Sequence, residues 1–209
     1  MVGLFLFALL MAIIAYMVYL SNSKSKTQKK EHIKKAKHYF DSLSKVLGRP
    51  YAPFVLSESD REHLKKSNYN PDAIYHLVSL IMIHLKAPFT RFNISITNSD
   101  GSNTAGQYHH DGSIPTITLL MKPEYAGEQI IAIVCHECMH HYLRVKKIKG
   151  KTEKVNELLT DYSAIYTGFG DILQKGYKKF EYGEKIVKVG YISEDEVIAA
   201  QECLKDYQT

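Results

Sequence analysis

The chain is poor in cysteine, with only Cys135, Cys138 and Cys203 among 209 residues. So few, and an odd number, build no disulfide framework, and reduced thiols suit a cytoplasmic domain. Cys135 and Cys138 form one C-x-x-C without a second pair, so neither a zinc ribbon nor a redox motif is indicated. A basic-aromatic groove pattern is missing, as is any base-reading motif, which argues against nucleic acid as a partner. No internal repeat appears.

Charged side chains are absent from residues 1–20, which are nearly all Leu, Ile, Val, Phe, Ala, Met or Tyr. Twenty helical residues span about 30 Å, the thickness of a hydrocarbon core, so this segment is expected to be a transmembrane anchor. A cleaved signal peptide fits less well, because a basic start and an A-x-A site before Ser21 are both lacking. The net charge is +5, and much of the surplus sits in Lys24, Lys26, Lys29, Lys30, Lys34, Lys35 and Lys37. Lysines just after an apolar span mark the cytoplasmic side and favour anionic lipid. The expected organisation is a single-pass anchor over 1–20, a basic polar linker over 21–30 and one cytoplasmic domain over 31–209.

Within that domain the spacing of Ile33, Ala36, Phe40, Leu43 and Leu47 predicts a helix from Lys30, ended by Gly48, Arg49 and Pro50. Ser57 starts a short polar helix, and Asn70-Pro71 caps a core helix carrying Ile74, Leu77, Val78, Ile81, Met82 and Leu85. His76 and His84 on that helix read as ordinary histidines. Alternation over Arg91 to Asn98 predicts a half-buried strand, with a turn at Asp100-Gly101. A second strand covers Ile114 to Met121. Helices follow over Glu124 to Lys149 and Thr152 to Thr167, the latter closed by Gly168-Phe169-Gly170. A hairpin over Tyr177 to Val189 turns near Gly183, and Ser193 with Glu196 makes a capping box for a last helix. A small sheet with several helices means an α+β fold.

The chemistry centres on His136-Glu137-Cys138-Met139-His140. Residues four apart on a helix lie nearly above one another, so both imidazoles can reach one Zn²⁺ with Glu137 beside its open position. Ile131, Val134, Cys138, Tyr142 and Val145 form the apolar stripe, with the histidines off it. The next helix carries Asn156-Glu157-Leu158-Leu159-Thr160-Asp161. Glu157 and Asp161 repel each other at that spacing, and the leucines between them point to a packed helix, where two carboxylates need a cation. Zinc supplies that charge. Glu157 is the expected third ligand, and Asp161 the acceptor for the spare N–H of a ligating histidine.

This pair of motifs resembles the gluzincin metallopeptidases, whose pattern is H-E-x-x-H followed on a second helix by E-x-x-x-D. The group includes thermolysin-like enzymes and membrane peptidases of the Ste24/HtpX type. The resemblance covers about residues 110 to 170 and implies a zincin-like domain that hydrolyses peptide bonds. It implies His136, His140 and Glu157 as zinc ligands, Glu137 as general base and Asp161 as the carboxylate behind a ligand. It further implies that Ile114 to Met121 is the edge strand along which an extended peptide lies. Thermolysin-like enzymes steady the oxyanion with a later histidine, whereas this chain has none after His141. Tyr177, Tyr182, Tyr191 or Arg144 must fill that role. His109, His110 and Asp111 either line the cleft or form a polar turn. The alternative to an enzyme is a zinc-stabilised scaffold that recruits partners at a membrane. A cysteine nucleophile fits poorly, because Cys135 and Cys138 point away from the neighbouring imidazoles.

Overall fold

The computed structural model describes the backbone of residues 2–88, 90–98, 104–112, 114–182 and 185–208. Side chains are described for the same residues except 2–10, 12, 13, 15, 18, 21, 22, 180–182 and 185–187. In chain order the elements are α1 (Val2–Leu47), α2 (Glu58–Lys66), α3 (Pro71–His84), β1 (Asn93–Asn98), β2 (Gly106–His109), β3 (Thr116–Met121), α4 (Gly127–Val145), α5 (Glu153–Ala164), α6 (Gly170–Gly176), β4 (Phe180–Tyr182), β5 (Lys185–Val187) and α7 (Glu194–Leu204). The fold is α+β.

The expected polar linker is not a break, because α1 runs unbroken through residues 21–30. That stretch holds no Gly or Pro and is rich in Lys, so nothing in it stops a helix. Among the described residues, no helix is long and apolar enough to cross a membrane. The anchor expected over 1–20 rests on side chains that lie mostly outside the described ones. The second half of α1 buries Ala36, Phe40 and Leu43 and packs along α7. Lys35 reaches Glu196 at 2.8 Å and Lys29 reaches Glu202 at 2.6 Å across that contact.

Helix starts follow their caps. The side chains of Ser57, Asn70 and Ser193 accept from the backbone N–H of Asp60, Ala73 and Glu196. The Ser193–Glu196 capping box is reciprocal. All six expected core positions of α3 and its cap, from Ile74 to Leu85, are buried.

The domain is organised around α4. Ile130 to Cys135, Cys138, Met139, Tyr142 and Leu143 are buried right around its circumference. A helix apolar on every side belongs in an interior, and neighbours press on it from α3, α5, α6, β2 and β3. The expected stripe is therefore too narrow, and its last member, Val145, is 37 % exposed.

The helix expected over Thr152 to Thr167 is α5, but the stop expected at Gly168-Phe169-Gly170 is a bend into a further helix. After α5 a wide turn at Ile165–Phe169 leaves helical geometry at Thr167 and Gly168, and α6 continues beyond it. Gly168 has φ +96°, and a β-carbon built there would lie 2.2 Å from the Ala52 carbonyl oxygen. The extended segment at Tyr51–Phe54 crosses at this point, with Phe54 N–H donating to the Gly168 carbonyl at 2.8 Å. His84 Nε2 lies 2.8 Å from the Thr167 carbonyl. These contacts satisfy carbonyls that the helix would otherwise hold, so glycine bends the chain rather than ending it.

The sheet has order β1-β3-β2, with β1 parallel and β2 antiparallel to β3. The strand expected at the edge, β3, is therefore the central one. The strand β2, which the alternation pattern did not disclose, occupies its open side. Leu120 N–H donates to the Ala105 carbonyl opposite it, which makes Ala105 and Leu120 a hydrogen-bonded pair. By alternation Gly106 and Tyr108 turn their own N–H and C=O groups away from β3, towards the edge that no further strand covers among the described residues. The strands β4 and β5 pair antiparallel as the expected hairpin. Its turn near Gly183, and the turn expected at Asp100-Gly101, lie outside the described residues.

Candidate metal centre

Helices α4 and α5 are joined by a short turn over residues 146–152. Lys147, at φ +57°, ends α4; its N–H donates to the Arg144 carbonyl and that of Ile148 to Leu143. Thr152 Oγ1 then caps α5 by accepting from Val155 N–H. So tight a return lays the first turns of α5 beside the end of α4.

At that crossing three atoms converge. Nε2 of His136 lies 3.0 Å from Oε2 of Glu157, Nε2 of His140 lies 3.2 Å from the same oxygen, and the two nitrogens are 3.1 Å apart. Tetrahedral ligands bonded at 2.0–2.1 Å sit about 3.3 Å from one another, so the spacing suits three ligands of one ion. This is the one group of His, Cys, Asp and Glu among the described residues able to hold a metal.

Hydrogen bonds behind the cluster set the tautomers. His136 Nδ1–H donates to Asp161 Oδ1 at 2.8 Å. Thr160 Oγ1 gives its proton to the Asn156 carbonyl at 2.9 Å and accepts from His140 Nδ1–H at 3.3 Å. Both Nε2 atoms then present lone pairs to each other and to a carboxylate oxygen. That arrangement repels unless a cation or a proton sits between, and the residues fit a divalent metal with an N₂O donor set. Burial alone would lower the basicity of His136. The charge and hydrogen bond of Asp161, with the hydrogen bond of Glu157, outweigh it and push the pKa up to about 10. Glu157 is displaced the other way: burial would raise it, but bonds from His136 and His140 bring it to about 2.

Asp161 is 0 % exposed and fully engaged. Besides His136 it accepts from the Tyr177 hydroxyl on Oδ1 and from the N–H groups of Tyr191 (3.0 Å) and Ile192 (3.2 Å) on Oδ2. Four donors satisfy both oxygens of a carboxyl group in an interior that offers it no water.

Glu137 is 5 % exposed but borders the cavities on both sides of the cluster. Its carboxyl pKa is raised by burial, with His136 and His140 pulling against the rise. A carboxyl moved towards neutrality is a better proton shuttle. The larger cavity, about 700 Å³, is an open cleft floored by the cluster, with β2 on one side and the end of α4 on the other. A smaller one of about 290 Å³ continues past Glu137 towards Ile133, Val189 and Gly190.

The other expected residues divide. Tyr191 stacks on the His136 ring at 5.5 Å and borders both cavities, and Arg144 lines the cleft. Tyr177 is buried with its hydroxyl committed to Asp161, which removes it from the oxyanion role. The Tyr182 side chain lies outside the described ones. His109 lines the cleft, whereas His110 Nδ1 accepts from Gly112 N–H in a local turn. His76 pairs with Asp60, and His84 packs among Phe54 and Phe169. Cys135 and Cys138 are fully buried with thiols pushed up by burial, and so are unsuited to nucleophilic attack. Thr160, Gly106 and Tyr108 escaped the sequence reading. Thr160 alone had a signal, standing three residues after Glu157 on the same helix.

Comparison with protein-family models, curated proteins and solved structures found no match to this chain.

Proposed function

We propose that the protein is a zinc-dependent peptidase of the gluzincin kind that cleaves peptide or protein substrates. Its zincin-like domain spans 31–209, with residues 1–20 as a membrane anchor and the domain on the cytoplasmic side. The observation that carries this reading is the convergence of His136, His140 and Glu157 within 3.2 Å, beside a buried Glu137 and an open cleft. Both histidines present Nε2 because Asp161 and Thr160 hold their other nitrogens. A Zn²⁺ held there would polarise a carbonyl and lower the pKa of a water towards about 7.

The chain's own residues supply the rest. Glu137 takes the proton of the attacking water and passes it to the leaving amine. The free edge of β2 offers the N–H and C=O groups of Gly106 and Tyr108 to an extended backbone, so the substrate pairs with β2 rather than with β3. Of the side chains considered for steadying the carbonyl oxygen, Tyr191 is best placed. It lies over His136, and burial, followed by the charges of Glu157 and Glu137, pushes its phenol to about 12, so it stays a donor. A structural zinc site usually closes its fourth position and needs no neighbouring base, whereas Glu137 stands beside an open cleft.

The test uses the full chain. Elemental analysis should give near one zinc per chain, and a peptide library should be cleaved until a chelator is added. Glu137→Gln should keep the metal and lose about 10²–10⁴ in turnover. Glu157→Ala should lose most of the metal. Undiminished cleavage by the Glu137 variant would remove the base assignment, and full metal in the Glu157 variant would remove the third ligand.

A further inference from the structure

The wall of the cleft opposite β2 carries charge that the metal cluster does not use. Arg144, Lys147 and Lys149, all exposed, line the cleft that the cluster floors. Among the described residues none of the three has an ion-pair partner. Glu153 is the one acidic lining residue apart from Glu137 and Glu157. Three cations against one anion leave that wall with a surplus of two positive charges.

The placement is built into the backbone. Arg144 is in the last turn of α4, Lys147 is its left-handed terminator and Lys149 follows two residues later. The hydrogen bonds from Lys147 and Ile148 back to Arg144 and Leu143 fix the path of this turn. Low-dielectric walls focus the field of such charges on whatever lies in the groove. The smaller cavity differs, being lined by Ile133, Val189 and Gly190 with Lys188 as its single cation.

We infer that the end of the cleft bounded by Arg144, Lys147 and Lys149 receives a substrate carboxylate, so that the preferred substrates are acidic on one side of the cleaved bond. This rests on the peptidase reading and specifies its substrate class. The carboxylate has two sources, an Asp or Glu side chain within a longer peptide or the free carboxy terminus of a short one. Each is an anion of the same geometry, and each meets the same three cations.

The experiment separates these sources and does not depend on hydrolysis. Zinc-loaded full-length Glu137→Gln protein is titrated with three fluorescent peptides of equal length. One is neutral with an amidated end, one has flanking glutamates and an amidated end, and one is neutral with a free carboxy terminus. Anisotropy at low salt should show about tenfold tighter binding of an acidic peptide than of the neutral amide, shrinking as salt approaches about 0.5 M. Tighter binding of the glutamate peptide assigns recognition to side chains, and tighter binding of the free carboxylate assigns it to chain ends. Adding Lys147→Gly and Lys149→Gln should bring the preference within about twofold of unity, with zinc content unchanged. The lysines of α1 remain in every variant. A preference that survives the double substitution therefore comes from elsewhere and overturns the proposal, as does equal binding of all three peptides. Cleavage of library peptides by the native protein without any acidic preference would sink this inference alone. Acidic binding through Lys147 and Lys149 without cleavage would sink the peptidase reading instead.

Discussion

Gly106 and Glu137 are in direct steric register: a β-carbon built on Gly106 would lie 2.6 Å from Glu137 Oε1 and 2.8 Å from a methyl of Ile133. No atom of ordinary size fits there without moving the carboxylate. The glycine allows β2 to close over α4 while the proposed base stays at the rim of the cleft.

Gly106→Ala should therefore act as a base-displacing substitution. We expect turnover to fall by about 10²-fold, since displacements near 1 Å already cost that much, while metal content stays at the native level. Parallel measurement of kcat and bound zinc distinguishes this from unfolding. Native turnover with the alanine in place would show that Glu137 has slack.

The two residues behind the histidines should differ in weight. Asp161 is fully buried and makes a charge-assisted bond of 2.8 Å to His136, whereas Thr160 offers a neutral oxygen at 3.3 Å to His140. Asp161→Asn is expected to weaken zinc binding by about 10–100-fold, and Thr160→Val by less. Competition with a chromophoric chelator measures both. Equal losses would mean that the carboxylate's charge is not what matters.

In the metal-free protein the cluster responds to pH in two directions. His136 has its folded pKa raised to about 10 from 6.5, so its contribution is complete below about 6.5 and lost as pH climbs through about 10. Glu157 has its folded pKa lowered to about 2 from 4.5, so its contribution is complete above about 4.5 and lost as pH falls towards 2. Chelator-treated protein should be most resistant to urea between about pH 4.5 and 6.5 and weaken on either side. Zinc should reverse the alkaline limb, because binding displaces the His136 proton and strengthens as protons become scarce. Urea midpoints across pH, with and without metal, decide this. A metal-free midpoint that rises between pH 7 and 9 would contradict it.

Lys147 occupies a left-handed position that glycine fills at lower cost. Lys147→Gly should stabilise the domain by about 0.5 kcal/mol, after allowing for the extra freedom of glycine in the unfolded chain. Thermal denaturation is the measurement. A lowered midpoint would show that the lysine side chain contributes to folding as well as to the cleft wall.

Much of this architecture was legible from local chemistry. Ser57, Asn70 and Ser193 announced their helices because a cap is a bond between near neighbours. The candidate metal cluster was legible in part because His136 and His140, four apart, are brought together by the helix itself, whereas Glu157 joins them through the turn over 146–152. What stayed hidden depends on distant partners. Gly-Gln-Tyr-His has little strand character of its own, and Gly106–His109 becomes a strand because β3 offers it an open side. The bend at Gly168 exists because residues 51–54 cross there, about 115 positions away in sequence. Tyr177 reads in sequence as an oxyanion candidate, but its hydroxyl is spent on Asp161.

That carboxylate serves two masters. Its first oxygen governs an imidazole, and its second holds the strand of chain that leads into α7, the helix seated on α1. With every lone pair in use, lifting the C-terminal helix would strip Oδ2 of both its N–H donors and change the charge that Oδ1 presents to His136. The seating of the chain's two end helices on each other and the basicity of its central imidazole are thus one mechanical system, joined at a single buried side chain.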